Sequence, residues 1–176
     1  MKRIVILLLS MIPLTLLGFE LLISGGYTFV EKRGWNVKFG FLQTPFEADI
    51  GVSFDFESSP TKMCFDVSVL FPMFDFSFFR AGAALVYTRD NYTGDWTEFS
   101  GAGVLLQSKA EDFDLRLGFL YPFTEEGIEP TRDVLFELRY YLKPPEGRHF
   151  KDRLFVELVY HAGFFRFGIG LIEPLP

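Results

Sequence analysis

The sequence predicts an all-β fold in which an antiparallel, up-and-down meander of about eight to ten strands, with ten preferred, closes into a barrel. Three observations lead to this prediction. Beyond residue 18, apolar side chains recur at every second position, which is the period of a strand. Turn-forming residues interrupt this alternation repeatedly. No apolar run beyond that point reaches the roughly 18 residues that a membrane-spanning helix needs.

Ten segments carry the alternation, and each is long enough to be a strand. In chain order they are 19–30, 35–43, 46–57, 63–71, 74–87, 96–108, 113–121, 133–142, 152–160 and 164–172. The first six connections alternate between longer and shorter stretches, as in a barrel with long loops at one end. The long connection KPPEGRHFKD and the short last one, AG, break that alternation, which keeps a count of eight strands open.

The third segment, FEADIGVSFDFE, shows the pattern most clearly. Its apolar residues all share one parity, and the opposite parity carries four carboxylates, Glu47, Asp49, Asp55 and Glu57. The second, fourth and seventh to tenth segments repeat this division. The fifth loses its parity around Phe79–Arg80, which predicts a β-bulge there and a turn at the preceding PM dipeptide. The sixth, WTEFSGAGVLLQS, mixes residue types and does not define a face.

The alternation alone permits two orientations of the strands. A soluble exported lipocalin-like barrel or sandwich would bury the phenylalanines, whereas a membrane barrel would bury the polar parity. The polar parity consists mainly of small residues and of charges of both signs, which favours a narrow lumen with paired charges. We expect this lumen network to contain Lys38, Glu47, Asp49, Asp55, Asp66, Arg116, Glu137, Arg139, Arg153, Glu157 and Arg166.

The apolar parity fits the outside of a transmembrane β-barrel. It consists largely of Phe, Leu, Val and Ile, and tyrosines and tryptophans lie near the segment ends. In a membrane barrel such residues form aromatic girdles at both membrane interfaces. The predicted girdle residues are Tyr27, Trp35, Tyr87, Trp96, Tyr121, Tyr140 and Tyr160.

Residues 1–18, MKRIVILLLSMIPLTLLG, have the features of a cleaved export signal, with an N-terminal membrane anchor as the alternative. Residues 19–176 then form a single domain. The formal net charge of −6 becomes more negative when Lys2 and Arg3 are removed, so the chain gives no support to nucleic-acid binding. The single cysteine, Cys64, is expected to be a buried small residue. The scarcity of Asn and Gln predicts a thermophilic source.

The basic and apolar start, the strand alternation and the turn lengths resemble those of the small outer-membrane barrels of diderm bacteria, the OmpA/OmpX/OmpW-like group. The resemblance covers residues 19–172. It implies a monomer in the cell outer membrane, with the lipid bilayer and the outer-membrane assembly machinery as partners. The implied role is structural or adhesive if the lumen is plugged, or that of a narrow, cation-preferring, porin-like pore if it is open. Members commonly finish with an aromatic residue, whereas this chain finishes GLIEPLP.

We expect no catalytic site, cofactor or metal. Some outer-membrane barrels are lipid-modifying enzymes or proteases with Asp and His pairs, but neither His149 nor His161 lies in a motif of those enzymes. The GAG at 101–103 precedes a strand and is therefore not a phosphate loop. The strand aspartates are spread along the chain instead of being clustered in one loop, which favours ion-paired lumen residues over a calcium site.

Overall fold

The computed structural model describes residues 20–29, 33–43, 46–108, 113–123, 133–142, 153–161 and 163–174. The predicted export signal and His149 lie outside these residues. The described chain forms ten strands, β1 Glu20–Phe29, β2 Gly34–Gln43, β3 Phe46–Asp55, β4 Lys62–Asp75, β5 Phe79–Asp90, β6 Thr97–Ser108, β7 Phe113–Pro122, β8 Val134–Tyr141, β9 Arg153–His161 and β10 Phe164–Pro174.

Each strand is antiparallel to its neighbour in sequence, and β1 pairs with β10 to close the barrel. The prediction of an antiparallel meander barrel with ten strands is confirmed. We call the end that holds Glu20 and Pro174 the terminal end, and the opposite end the distal end. The long connection between β8 and β9 belongs to the terminal end, which explains why the alternation of long and short connections breaks there. Among the described residues, no helix is long and apolar enough to cross a membrane.

The boundary between β4 and β5 corrects the sequence prediction. β4 continues through Pro72 and Met73, and its register with β5 shifts between Phe71 and Phe74. The turn lies at residues 76–78, where the Phe76 amide donates to the Phe79 carbonyl at 2.9 Å. The predicted turn at Pro72–Met73 and the predicted bulge at Phe79–Arg80 are therefore wrong. Pro72 does not end the strand, because a bulge tolerates the missing backbone donor.

The barrel buries its polar parity and exposes its apolar parity. Along β2, the residues alternate between buried and exposed without a break. Lys38 is 6% exposed, whereas the neighbouring wall residues Trp35 and Phe39 are 63% and 53% exposed. This arrangement is the reverse of the one that the soluble lipocalin-like alternative requires. We call the outward-facing apolar side chains the outer wall.

The interior is only partly polar. An apolar cluster lies on the inward face of β4 to β8 and at the start of β10, and it contains Cys64, Leu70, Ala84, Val86, Tyr92, Phe99, Leu105, Leu120, Leu135 and Phe164. A smaller one consists of Leu22, Leu42, Phe155 and Ile172. Cys64 is fully buried, as predicted. Because these side chains and the charged ones share the interior, much of the barrel is filled by ordinary apolar packing.

Candidate functional site: a charged lumen

Eight buried polar side chains from five strands meet inside the barrel. We call them the lumen cluster: Lys38, Glu47, Asp49, Asp114, Arg116, Glu137, Arg139 and Glu157. The strand period of two brings them inward, and the closed ring brings strands that are distant in sequence to face one another.

Glu47 lies at the centre of the lumen cluster. One of its oxygens accepts from Nη2 of Arg116 at 2.6 Å and from Nη1 of Arg139 at 3.1 Å. The other accepts from Nη2 of Arg139 at 2.7 Å. The guanidinium of Arg139 also lies over the ring of Phe155, 4.8 Å from its centroid. Arg139 is fully buried, so these contacts replace water as the surroundings of its charge.

Glu137 joins the same two arginines. It accepts from Nη1 of Arg116 and from Nη2 of Arg139, each at 3.0 Å. Arg116 also lies 2.6 Å from a carboxylate oxygen of Asp114, whose two oxygens accept from the Gln107 amide at 3.0 and 2.9 Å. Each arginine therefore contacts several carboxylates, and the whole forms one network instead of separate pairs.

Lys38 extends the network to the other side of the barrel. Its Nζ donates to Glu157 at 2.6 Å and lies 3.6 Å from Glu137 and 3.8 Å from Asp49. The second oxygen of Glu157 accepts from the Ser24 hydroxyl at 2.6 Å. The lysine ammonium therefore occupies the space between three carboxylates.

A second charged group lies beside the lumen cluster. Arg166 donates to both oxygens of Asp66, at 2.9 and 2.7 Å, in the two-point geometry typical of arginine and carboxylate. Nε2 of His161 lies 3.8 Å from the same carboxylate, and the His161 side chain is buried. His161 is thus part of the lumen, and the carboxylate that it faces is already held by Arg166.

Glycines in the neighbouring strands make room for the carboxylates. Gly51 is opposite Asp66 in the β3–β4 ladder, and Gly40 is opposite Asp49 in the β2–β3 ladder. A Cβ atom on Gly51 would lie 2.5 Å from Oδ1 of Asp66, and one on Gly40 would collide with Oδ1 of Asp49. The small residues of the polar parity therefore allow the charged side chains to lie against the inside of the barrel.

One further side chain reaches across the distal end. Tyr92, in the connection between β5 and β6, packs into the larger apolar cluster, and its hydroxyl donates to the Arg33 carbonyl at 2.9 Å. Arg33 directly precedes β2, which is not adjacent to β5 or β6. Burial raises the pKa of the Tyr92 phenol well above its usual range, so it remains a neutral donor. This contact ties two separate parts of the barrel rim together.

Most of the predicted lumen residues lie in these two groups, but not all. Asp55 is at the distal end of β3, where its carboxylate accepts from the Ser58 hydroxyl at 2.6 Å and the Glu57 amide at 3.0 Å, so it stabilises a turn. The side chain of Arg153 lies outside the described part of the structure. Sequence reasoning missed Asp114, Gln107, Ser24 and His161. Asp114 has the same parity as Arg116, which was the available signal.

A cavity beside Lys38, Asp49 and His161 has room for about one water molecule. Three buried atoms around it have no hydrogen-bond partner among the described residues, Oδ1 of Asp49, Nδ1 of His161 and Nε of Arg166. Buried polar atoms of this kind are usually satisfied by ordered water.

The arrangement could also attract a cation. Oxygens of Glu47, Asp49 and Glu137 lie within 4.8 Å of one another. However, arginines already hold Glu47 and Glu137, and the ammonium of Lys38 lies 3.8 Å from the third carboxylate, Asp49. The chemistry that this geometry supports best is mutual neutralisation of buried charges.

The predicted girdle residues are distributed unevenly along the barrel. Tyr140 is near the terminal end of β8, whereas the other six lie towards the distal end. Two members of the distal group, Tyr27 and Trp35, are in edge-on contact with their ring centroids 5.6 Å apart. Phenylalanines, including Phe46 and Phe71, occupy the outer surface near the terminal end. The tyrosines and tryptophans of the predicted girdle are thus concentrated at the distal end.

No protein-family model matches the chain, and no curated protein matches it. The geometry by itself defines a closed, ten-stranded antiparallel barrel with a charged interior and an apolar exterior, which is consistent with a small barrel of the outer-membrane type.

Proposed function

We propose that the protein is an integral β-barrel of a bacterial outer membrane, with a lumen plugged by its own side chains and a structural or adhesive role in the cell envelope. The single observation that carries this proposal is the inverted burial. Arg139 is fully buried while Trp35, Ile50 and Val104 are each more than half exposed. In water such a wall would be costly, whereas lipid removes that cost.

The dimensions of the barrel support the same proposal. A strand of 10 residues, such as β1, β2 or β3, spans about 26 Å along the barrel axis if it is tilted by about 40°. The apolar band of outer-membrane barrels is about 25 Å tall. Closure of β1 against β10 also leaves the ring without an unpaired strand, as hydrocarbon surroundings require.

Membrane fractionation tests the location. We expect the protein to sediment with the outer membrane and to need detergent for extraction, because the outer wall consists of exposed apolar side chains. The extracted barrel should migrate differently on a gel before and after boiling, since folded barrels resist detergent unfolding. Recovery of folded protein in buffer without detergent would contradict the proposal.

The plug rests on the lumen contacts. The network of Glu47, Arg116 and Arg139 crosses the interior, and the cavity beside Lys38, Asp49 and His161 holds about one water molecule. Tyr92 covers part of the distal end. Because these groups obstruct the lumen in the plugged barrel that we propose, we expect no discrete conductance steps in planar lipid bilayers.

A second function, a narrow cation-preferring pore, is favoured by one observation. The lumen cluster and the Asp66–Arg166 pair together contain six carboxylates and four basic side chains. An excess of buried negative charge would attract cations if the lumen opened. Discrete steps with cation selectivity in the bilayer experiment would replace the plugged barrel by this pore.

The proposed partners follow from the location. They are the lipid bilayer and the machinery that assembles outer-membrane barrels, and the protein acts as a monomer. Cross-linking in native membranes tests the monomer, because a constant dimer band would contradict it.

A further inference from the structure

The β4–β5 turn at the terminal end carries an unusual group of exposed apolar side chains, which we call the aromatic tip: Met73, Phe74, Phe76, Phe78 and Phe79. Phe78, at the apex, is 85% exposed. Turns in water are normally built from Gly, Asn, Asp, Pro and Ser, because these residues suit both the backbone and the solvent. Exposed apolar groups of this size mark an interaction surface.

The aromatic tip is an ordered part of the hairpin. Phe76 and Phe79 are joined by a backbone hydrogen bond of 2.9 Å, and their rings stack with centroids 4.8 Å apart. Phe74 is opposite Ala81 in the ladder, on the outward parity of β5. Phe74 and Phe79 therefore lie on the same side of the sheet as the outer wall, and Phe76 stacks on Phe79.

The aromatic tip continues the outer wall beyond the neighbouring strand. In the described residues, β4 pairs with β3 only as far as Leu70, yet β4 itself runs on to Asp75. Outward-facing Phe71, next to Phe46 of β3, connects the wall to the tip without a polar interruption on that face. The surface proposed to contact lipid and the surface of the tip are thus one continuous apolar surface.

The polar groups of the tip set its depth. The tip needs a polar layer beside it, because its hairpin carries charged side chains as well as aromatic rings. Asp75 and Arg80 lie opposite each other in the ladder, within reach of the same polar layer. With its rings among the acyl chains and its charges among the headgroups, the tip would lie at the boundary between the headgroup layer and the acyl layer.

We propose that the aromatic tip is a lipid-binding anchor that inserts into the headgroup–acyl boundary of the leaflet at the terminal end. This inference rests on the proposed function, because it assumes that the outer wall lies in a bilayer. It adds a specific contact, since the turn would otherwise extend into water. The anchor would take the place of the tyrosines and tryptophans that are concentrated at the distal end.

Depth-dependent quenching of a single tryptophan tests the anchor. In a W35F/W96F background, one variant carries F78W at the tip, a second carries I50W in the middle of the outer wall, and a third carries T93W in the β5–β6 connection. Each full-length barrel is reconstituted into phosphatidylcholine vesicles that are unbrominated, brominated near the headgroup, or brominated deep in the chains. Acrylamide reports access from water.

We expect blue-shifted F78W emission that is lost most strongly with bromines near the headgroup. The I50W variant should lose emission with deep bromines, and the T93W variant should respond to acrylamide alone. If I50W is not quenched by brominated lipid, the proposed membrane location fails. If I50W is quenched but F78W behaves like T93W, only the anchor is overturned. Protection of F78W from both quenchers, relieved by diluting the protein in lipid, would assign the tip to a second copy and also overturn it.

Discussion

Replacing Arg139 by methionine should be among the most damaging single changes in the lumen. Arg139 is fully buried and lies 2.7 Å from Glu47, 3.0 Å from Glu137 and 3.7 Å from Glu157. R139M retains an apolar stem over Phe155 but leaves three carboxylates with one fewer cation. Breaking a buried ion pair by removing one partner costs about 3–5 kcal/mol, and we expect a loss of unfolding free energy in that range.

The assay is guanidinium unfolding of the reconstituted barrel, followed by the fluorescence of Trp35 and Trp96. The matched control is R89M, because Arg89 is half exposed and lies 3.3 Å from a single carboxylate, Glu98. Exposed pairs contribute at most about 1 kcal/mol, so R89M should be nearly neutral by comparison. Equal losses for the two variants would refute the assignment of Arg139 to a buried network.

A double-mutant cycle separates the network from a general packing defect. E47Q removes the carboxylate that accepts two hydrogen bonds from Arg139. The R139M/E47Q barrel should therefore be less destabilised than the sum of the two single variants, by about 1 kcal/mol or more. Additive losses would show that Arg139 and Glu47 do not act together.

Three further changes test other parts of the structure. K38M removes the cation between three carboxylates and should reduce the unfolding free energy by about 3–5 kcal/mol, because buried carboxylates lose their partner; a loss below about 1 kcal/mol would contradict a buried network around Lys38. G51A places a Cβ atom against the Asp66 carboxylate, which is held on both oxygens, and should reduce the unfolding free energy by about 1–3 kcal/mol; G25A, with only one ordinary contact at 3.7 Å, is its control in the same assay. I50R places a charge in the outer wall and should cost about 2–4 kcal/mol if the wall lies near the bilayer midplane; unchanged assembly in a fractionation experiment would argue against a lipid-facing wall.

The fold was largely predictable from the sequence because the period of two survives in most strands. In β3, every second residue from Glu47 to Ser53 is buried, as the alternation indicates. The prediction failed at Pro72, where local turn chemistry and tertiary pairing disagree. Pro72 lies in the part of β4 beyond Leu70, where the β3–β4 ladder of the described residues has ended. Its missing backbone donor therefore breaks no ladder hydrogen bond on that side. Single-sequence patterns contain no information about where a neighbouring strand stops.

The site was predictable in composition but not in pairing. Parity identifies which residues face inward, and it placed Glu47 and Arg139 in the same lumen. The contact between Glu47 and Arg139 depends on the register of every strand between β3 and β8, which parity does not give. Parity also does not show how far along the barrel axis a residue lies. For this reason the predicted lumen network includes Asp55, which lies at the rim of the barrel. The inward apolar residues Leu70 and Leu120 were missed because they share a parity with glycines and charges.

The lumen network does more than neutralise charge, because its strongest contacts join strands that are not neighbours in the sheet. Glu47 of β3 meets Arg139 of β8, Lys38 of β2 meets Glu157 of β9, and Asp66 of β4 meets Arg166 of β10. Each contact requires a particular distance across the lumen, and that distance grows with the number of strands.

A barrel with fewer or more strands could keep the same apolar exterior, since the contact between apolar side chains and lipid depends little on the number of strands. Such a barrel would separate or crowd these charges and leave some of them buried without partners, at a cost of several kcal/mol for each. The buried charges therefore favour one strand number and one register, whereas the apolar outer wall favours lipid over water as the surroundings of the barrel.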